Sequence, residues 1–253
     1  MRSIFNRLSL RFKSFNRSQQ FVPSFFSLLT NPTYIIKRGL YLALRAKSLT
    51  MTGDLLDVGC GSAPYRGLFK VRSYTGIDVV LNPIANLRSY EYSCFDGINI
   101  PFASGRYDCV LATEVFEHVF NLPSLLKEVA RVSKEEATLL CTLPFVWPEH
   151  DEPFDFARYT SFGITDLFEK AGYEVIEVKR HGTYTDVIIQ LILLYTDTQY
   201  RKIGILGLIP GVLTCTALNF FAIGLNALLP NVDKLYLGLV IEAKLRKSVA
   251  PPS

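Results

Sequence analysis

Short apolar runs that end in glycine or polar residues alternate with amphipathic stretches along most of the chain. Four such runs are DLLDVGCG, SYTGIDVV, YDCVLATE and ATLLCTLP, and YEVIEVKRHG and KLYLGLVIEAKLR follow near the end. Stretches such as PSLLKEVARVSKEE and TSFGITDLFEKAGY between them have helical spacing. Alternation of strands and helices predicts an α/β fold, with a parallel sheet covered by helices on both faces.

The composition limits the class of protein. The chain has 253 residues, of which 49% are hydrophobic and 20% are charged. This balance excludes a disordered or fibrous chain, and the length suits one large domain or two small ones. The five cysteines are scattered without a C-x-x-C pair, which argues against a disulfide framework and against a zinc module.

The net charge of +4 conceals an uneven distribution. Residues 1–53 carry nine lysines and arginines and no acidic residue, whereas residues 54–253 carry 18 basic and 23 acidic residues. A basic N-terminal segment on a mildly acidic body indicates an anionic partner for that segment alone. We expect no nucleic-acid partner, because the acidic body would repel phosphates.

Residues 2–17 predict a basic amphipathic helix. Arginine and lysine fill the gaps between apolar residues spaced three and four apart, which are Ile4, Phe5, Leu8, Phe12 and Phe15. Three interpretations remain open: a helix packed on the domain, docking on an anionic membrane surface, or a mitochondrial presequence. Residues 34–48 predict a second helix.

A glycine turn follows the first apolar run, in LLDVGCGSAP at residues 55–64. This pattern predicts a strand, a tight turn that lets a ligand approach the backbone, and then a helix. A dinucleotide fingerprint would have glycine where Pro64 stands and no acid at Asp57, so we expect a cofactor other than NAD. Asp57 suits a cationic ammonium group, Asp78 a ribose diol and Asp96 an adenine amino group. The alternative is a strand–helix turn without a ligand.

The motifs DVGCGSAPY, YTGIDVV, FDGINIPF, RYDCVLATEVFEHV and LLKEVARV together resemble the class I S-adenosylmethionine-dependent methyltransferases. They are most similar to the type 11 group, which includes the quinone methyltransferases. The stretch PFVWPEHDEP, followed by DFARYT, resembles bacterial methyltransferases of cell-surface polysaccharide and lipid-linked glycan pathways. One departure is KEEA at 134–137, where the family usually has a Pro-Gly-Gly turn.

This resemblance covers about residues 50–182 and the final strand at 235–246. It implies a Rossmann-like sheet, mostly parallel with an antiparallel final strand, and S-adenosyl-L-methionine as the cofactor. The cofactor-binding residues that it implies are Asp57, Gly59, Cys60, Gly61, Asp78, Asp96, Gly97 and Thr113.

Two polar clusters are candidates for the acceptor site. Glu114, Glu117 and His118 lie at and after the end of the run YDCVLATE, the fourth strand of the implied fold, and their spacing would put them on one face if a helix starts there. They could hydrogen-bond locally, contact the acceptor or move its proton, or hold a metal through oxygen and imidazole ligands. We expect no metal there.

The second cluster follows the run ATLLCTLP, the fifth strand of the implied fold, in a loop bounded by prolines. His150 is a general-base candidate because imidazole changes charge near neutral pH. Arg158 could clasp a phosphate or carboxylate, with Tyr159 beside it, or it could pair with Asp151 or Asp155 within the loop. We therefore predict catalytic roles for three residues, His150, His118 and Glu114, and substrate contacts for Arg158 and Tyr159.

An apolar segment interrupts the domain before its last strand. No charged residue occurs from Ile203 to Val232, which is long enough to span a bilayer. A single crossing would separate the final strand from its sheet. A membrane span, a membrane hairpin or interfacial contact, and helices covering a core or homodimer face are the three alternatives. The predicted organisation is an N-terminal extension (1–49), a methyltransferase core (50–182), an apolar helical insertion (183–233), a final core strand (234–247) and a tail (248–253).

These features predict a methyltransferase that methylates oxygen on a lipid-linked glycan or another lipophilic acceptor, at an anionic membrane surface. A quinone-ring methyltransferase and a non-catalytic, donor-binding membrane scaffold are the alternatives. We expect a cytoplasmic protein on the membrane face, with a mitochondrial location as the alternative. A homodimer would be another use of the apolar insertion.

Overall fold

A computed structural model describes residues 19–79 and 91–246, and the predicted helix at 2–17 lies outside the described residues. The described part contains one seven-stranded sheet in the order β3-β2-β1-β4-β5-β7-β6. Its strands are β1 (Asp54–Val58), β2 (Ser73–Asp78), β3 (Glu91–Cys94), β4 (Tyr107–Thr113), β5 (Ser133–Pro144), β6 (Tyr173–His181) and β7 (Gly238–Leu245).

The sheet confirms the predicted α/β fold. Strands β3, β2, β1, β4 and β5 pair in parallel with their neighbours, and β7 pairs antiparallel with β5. Leu55, Leu56 and Val58 of β1 are completely buried, as expected for a central parallel strand with both faces covered. The strand order reverses beside β1, and ligands of open α/β sheets bind at such a switch point. The segment EYSC of β3 is not among the predicted apolar runs, because it is short and partly polar.

Six helices and three 3-10 turns lie entirely within the described residues, and residues 19–21 are also helical. The helices are α1 (Phe25–Thr30), α2 (Tyr34–Lys47), α3 (Leu122–Val132), α4 (Ser161–Lys170), α5 (Tyr184–Lys202) and α6 (Leu208–Leu228). The 3-10 turns cover Arg66–Leu68, Phe116–His118 and Gly204–Gly207. Helix α2 confirms the helix predicted at 34–48. The helix predicted directly after the glycine turn is wrong, since only the turn at Arg66–Leu68 forms there.

Helix α3 shows why this sequence folds as it does locally. Its N-terminus is capped by Asn121, whose side chain accepts from the Ser124 amide at 3.4 Å. Five completely buried residues form its apolar stripe, namely Leu122, Leu125, Leu126, Val129 and Val132. The pattern predicted a helix through Glu136, but β5 begins at Ser133, which already pairs with Tyr107 of β4. Strand pairing therefore overrides the helical propensity of SKEE.

The chain forms two compact units. The sheet unit comprises Leu44–Arg180 and the chain from Gly238, and the helical unit comprises the chain up to Ala43 together with His181–Leu237. The described parts of the predicted extension and insertion thus contribute to one unit. In the helical unit, Ile189, Leu193, Cys215 and Ala222 form a small buried cluster.

Helix α6 has polar side chains on its buried face and apolar ones on its exposed face. Buried Asn219 donates to the Leu28 carbonyl at 2.8 Å, and Thr216 donates to the Leu29 carbonyl at 2.8 Å. The large apolar side chains that face outward on α6 include Ile209, Leu213, Phe220, Phe221 and Leu228 (83% exposed). Leu206 (78% exposed) of the preceding 3-10 turn extends this apolar face. A helix at the surface of a water-soluble protein normally has the opposite arrangement.

The stretch Gly204–Leu228 is long and apolar enough to cross a membrane by length and composition. It has 25 residues, and its most apolar window of 18 residues has a mean hydropathy of 1.8 and is 22% buried.

Candidate active site

The glycine turn after β1 leaves an open space beside the backbone. Gly59 has φ +65°, and a Cβ atom there would lie 2.5 Å from Cγ2 of Val115. Gly61 has φ +51°, and a Cβ atom there would meet no atom within 4 Å. The amide of Cys60 donates to the Ile77 carbonyl at 3.0 Å, which fixes the turn against β2. The turn is therefore held on one side and open on the other.

Asp57 lies buried at the base of this turn. The hydroxyl of Tyr74 donates to its Oδ2 atom, whereas Oδ1 has no hydrogen-bond partner among the described residues. Burial raises the pKa of Asp57 to about 7, with the Tyr74 hydrogen bond lowering it and the charge of Asp78 raising it. A buried oxygen without a partner is costly, and a cationic ligand would satisfy it.

Asp78, at the end of β2, is tied to the turn by two hydrogen bonds. Its Oδ2 atom accepts from the Gly61 amide at 2.8 Å, and its Oδ1 atom accepts from the Val79 amide at 2.7 Å. The structure thus brings the predicted Asp57, Gly61 and Asp78 together. Each Asp78 oxygen keeps a second lone pair with which it could accept from a ligand hydroxyl.

Asp96 and Gly97 follow β3 and lie close to the end of β2. The amide of Phe95 donates to the Asp78 carbonyl at 3.0 Å. The Asp96 carboxylate accepts from the amides of Ile98 and Asn99 and from the Asn99 side chain. Hydrogen bonding, first of all from the Asn99 side chain, lowers the pKa of Asp96. Asp96 is therefore an ionised acceptor with much of its capacity already used by its own loop.

Strand β4 ends at Thr113, and the chain turns sharply at Glu114, which has φ +54°. The Glu114 amide donates to the carbonyl of Thr142 at 3.1 Å. A 3-10 turn at Phe116–His118 follows, so the prediction that Glu114, Glu117 and His118 share one face of a helix is wrong. The strained turn instead directs Glu117 into the interior.

Glu117 is completely buried, and neither carboxylate oxygen has a hydrogen-bond partner among the described residues. Burial raises its pKa well above the ordinary value, and the charge of Glu114 raises it further. Its backbone carbonyl accepts from the amides of Phe156 and Ala157 at 2.9 and 3.2 Å. Glu117 is not among the predicted catalytic residues, because burial within a 3-10 turn leaves no signal in the sequence.

The two predicted acceptor clusters meet in space. The rings of His118 and His150 are 4.8 Å apart, and Nε2 of His118 lies 3.7 Å from Oε1 of Glu117. Nδ1 of His150 lies 3.1 Å from Asp155 and donates to the Pro148 carbonyl at 3.3 Å. His118 and His150, predicted in separate clusters, therefore form one polar group with Glu117.

Arg158 makes a two-point pair with Asp155, at 2.5 and 2.6 Å. This pair lowers the pKa of Asp155 and raises that of Arg158. Of the two alternatives predicted for Arg158, the structure shows pairing within the loop. Tyr159 is partly buried, and burial first and the charge of Glu117 second raise its pKa. Arg158 thus supports Asp155, and through it His150.

Comparison with known proteins identifies the family. A family model described as a methyltransferase domain matches residues 31–178, which is more than half of the chain. The chain therefore belongs to the methyltransferase-domain family, whose methyl donor is S-adenosylmethionine. An uncharacterized protein of Methanocaldococcus jannaschii is 31% identical over 87 residues, which are 34% of this chain and 38% of that protein. The chain thus spans about two fifths of the length of this relative.

Solved structures share the fold at low sequence identity. A SAM-dependent methyltransferase from Thermotoga maritima has a TM-score of 0.54 at 16% identity, covering 97% of this chain and all of that one. A methyltransferase from Clostridium acetobutylicum has a TM-score of 0.53 at 10% identity, covering 83% and 92%. The 4+2 cyclase SpnF has a TM-score of 0.57 at 16% identity, covering 83% and 82%. These similarities support the fold alone.

The residues at the turn fit S-adenosylmethionine. The unpartnered Oδ1 atom of Asp57 suits a positively charged group, and the open space at Gly61 admits a ligand against the backbone. Asp78, which ends the next strand, can accept from a ribose hydroxyl.

Proposed function

We propose that this protein transfers a methyl group from S-adenosylmethionine to an oxygen atom of a lipid-linked glycan or other lipophilic acceptor at a membrane surface. The assignment of S-adenosylmethionine as the methyl donor rests on the buried Asp57 oxygen, which has no partner among the described residues and lies beside the open glycine turn. The family match supports the same assignment. The observation behind the lipophilic acceptor is the apolar exposed face of α6.

Donor binding is assigned to the ends of β1, β2, β3 and β4. Asp57 would hold the ammonium group, Asp78 the ribose and Asp96 the adenine amino group. Gly59 and Gly61 would allow close approach of the backbone, and the remaining residues assigned to this site are Cys60, Gly97 and Thr113. S-adenosylmethionine supplies a methyl group that is activated by its bond to a positively charged sulfur.

The polar group at His118 and His150 would bind the acceptor and remove its proton. As the acceptor oxygen bonds to the methyl carbon, the carbon–sulfur bond breaks and its electron pair stays on sulfur. The hydroxyl proton moves from the acceptor to this polar group, because imidazole and carboxylate are suitable proton acceptors. Glu114 and Tyr159 would contact the acceptor, and Arg158 would position His150 through Asp155.

The exposed apolar face of α6 supports a location at a membrane. Leu206, Ile209 and Leu213 are mostly exposed, and burying such side chains in lipid contributes about 1.5–3 kcal/mol each at full burial. The basic residues 2–17 would add attraction to anionic lipids. We place the protein on the cytoplasmic face of the membrane, and a mitochondrial location remains the alternative for this basic segment.

The test is methyl transfer from tritium-labelled S-adenosylmethionine to a total membrane lipid extract. We expect label in the organic phase only when the protein is present, and mass spectrometry should show one added CH₂ on a glycolipid. Label on a quinone would support the quinone-ring alternative instead. Donor binding without transfer to any lipid would overturn the enzymatic proposal in favour of a scaffold.

His150→Gln provides the matched test of the acceptor side. It should lower turnover by about 10²–10⁴-fold, the usual contribution of a positioned proton-transfer group, and leave donor affinity unchanged. Glu149→Gln changes the neighbouring, exposed residue and should keep wild-type turnover. Equal turnover in both variants would place the proton transfer elsewhere.

A further inference from the structure

Three side chains from two separate loops converge within the sheet unit. Glu117, His118 and His150 can each offer one ligand atom, and these atoms lie within 4.8 Å of one another. The first two residues belong to the 3-10 turn after β4, whereas His150 follows β5. Their meeting is a property of the fold that the spacing in the sequence does not show.

The hydrogen bonds of both imidazole rings determine which nitrogen is available. Nδ1 of His118 lies 2.9 Å from the Phe154 carbonyl, and Nδ1 of His150 lies 3.3 Å from the Pro148 carbonyl. A carbonyl oxygen only accepts, so both Nδ1 atoms must carry hydrogen and, in the neutral rings, both Nε2 atoms carry a lone pair. Asp155 also lies 3.1 Å from Nδ1 of His150. Metal-binding histidines usually have such a carbonyl or carboxylate behind the ring.

The carboxylate of Glu117 can supply an oxygen ligand, because it has no other hydrogen-bond partner among the described residues. Its side chain is completely buried, and both oxygens lack a hydrogen-bond partner among the described residues. Oε1 lies 3.7 Å from Nε2 of His118, which is too long for a hydrogen bond. Two ligands of one Zn²⁺ ion lie about 3–3.5 Å apart, so small side-chain rotations would close the three atoms around a cation.

We propose that Glu117, His118 and His150 bind one divalent transition-metal cation of the Zn²⁺ class, through a carboxylate oxygen and the two Nε2 atoms. Two imidazoles and a carboxylate suit Zn²⁺ and its neighbours better than Mg²⁺, which prefers oxygen ligands. Three protein ligands leave a position for water or an acceptor oxygen. This site replaces our expectation, from the sequence, that the cluster holds no metal. With a cation bound, both Nε2 atoms are occupied, so the proton of the acceptor would pass to a carboxylate or to water and not to an imidazole. This role in methyl transfer rests on the proposed function, but cation binding does not.

The experiment measures cation binding by the full-length protein without donor or acceptor. After dialysis against chelator, titration with Zn²⁺ in a calorimeter should give one site per chain, and Co²⁺ should produce the visible absorption bands of a low-symmetry site. His118→Ala, His150→Ala and Glu117→Gln should each weaken binding at least tenfold. The exposed Glu149→Gln is the matched control and should bind like the wild type.

Asp155→Asn separates a metal site from a fortuitous contact. If Asp155 orients His150 as a ligand, this variant should lose about 10–100-fold in affinity while keeping its circular dichroism spectrum. Absence of stoichiometric binding to folded wild-type protein would overturn the proposal, as would unchanged affinity in His118→Ala and His150→Ala. Either result would leave donor binding and methyl transfer untouched, because those are measured separately.

Discussion

The buried carboxyl of Asp57 should make donor binding depend on pH. Its pKa is raised to about 7 by burial, so the free protein holds a proton there below neutrality. A cationic ammonium group prefers the carboxylate, and the proton must leave before the two can pair. We therefore predict that S-adenosylmethionine binds about tenfold more tightly at pH 8 than at pH 6, with affinity levelling off above pH 8.

Asp57→Asn is the matched variant for this prediction. It keeps the shape of the side chain and cannot ionise, so its donor affinity should be weak and independent of pH in calorimetric titrations. The same pH dependence in the wild type and in Asp57→Asn would assign the titrating group to another residue.

The sequence predicts the donor side of the site better than the acceptor side. Asp57 and Asp78 end neighbouring parallel strands, and the carboxyl ends of such strands meet at one sheet edge. The buried position of Glu117 depends on the left-handed backbone of Glu114. The sequence after Glu114 has helical spacing, but the chain makes a sharp turn there and the spacing does not predict it. His150 reaches His118 only through the loop after β5.

The boundaries of the elements show where local patterns give way to tertiary pairing. The apolar strands and the apolar stripe of α3 could be predicted, because the spacing of apolar residues indicates which faces are buried. Strand β3 could not, because it is short and partly polar and gains its stability from pairing with β2. The end of α3 at Val132 is likewise set by the pairing of Ser133 with Tyr107.

Asn219 tests the reversed polarity of α6. Asn219→Leu makes the helix more hydrophobic, yet it should lower the free energy of unfolding by about 1–3 kcal/mol because the Leu28 carbonyl loses a buried donor. The reverse change at the exposed face, Leu213→Asn, should stay within about 0.5 kcal/mol. Denaturant unfolding in lipid-free buffer measures both. A more stable Asn219→Leu protein would show that this face behaves as an ordinary core.

Two different forces would hold the molecule on a membrane. Residues 2–17 carry five basic side chains, each contributing about 1 kcal/mol near an anionic surface and screened by salt. The apolar face of α6 is insensitive to salt, because its attraction to lipid is hydrophobic. High salt should therefore release only part of the full-length protein from anionic vesicles, and a variant without residues 1–20 should stay largely bound.

Removal of the apolar face should reverse this behaviour. When Leu206→Glu, Leu213→Glu and Phe220→Glu are combined, high salt should release the protein completely from anionic vesicles. Donor binding measured on the same sample checks that the sheet unit is folded. The control is Glu169→Gln on the exposed side of α4, and high salt should release this variant to the same extent as the wild type. Full-length protein that stays in solution beside anionic vesicles at low salt would contradict the membrane location.

Calorimetric titration with S-adenosylmethionine tests the donor site most directly, using two glycines of matched geometry. Gly61 and Gly105 have φ of +51° and +64°, and a Cβ atom on either would meet nothing within 4 Å. Alanine therefore imposes similar backbone strain at both positions, about 1–2 kcal/mol, but only at Gly61 does it enter the proposed donor space. We predict one donor per chain, at least tenfold weaker binding in Gly61→Ala, and near wild-type affinity in Gly105→Ala. Equal affinity in the two variants, or no binding to the folded wild type, would contradict the donor site.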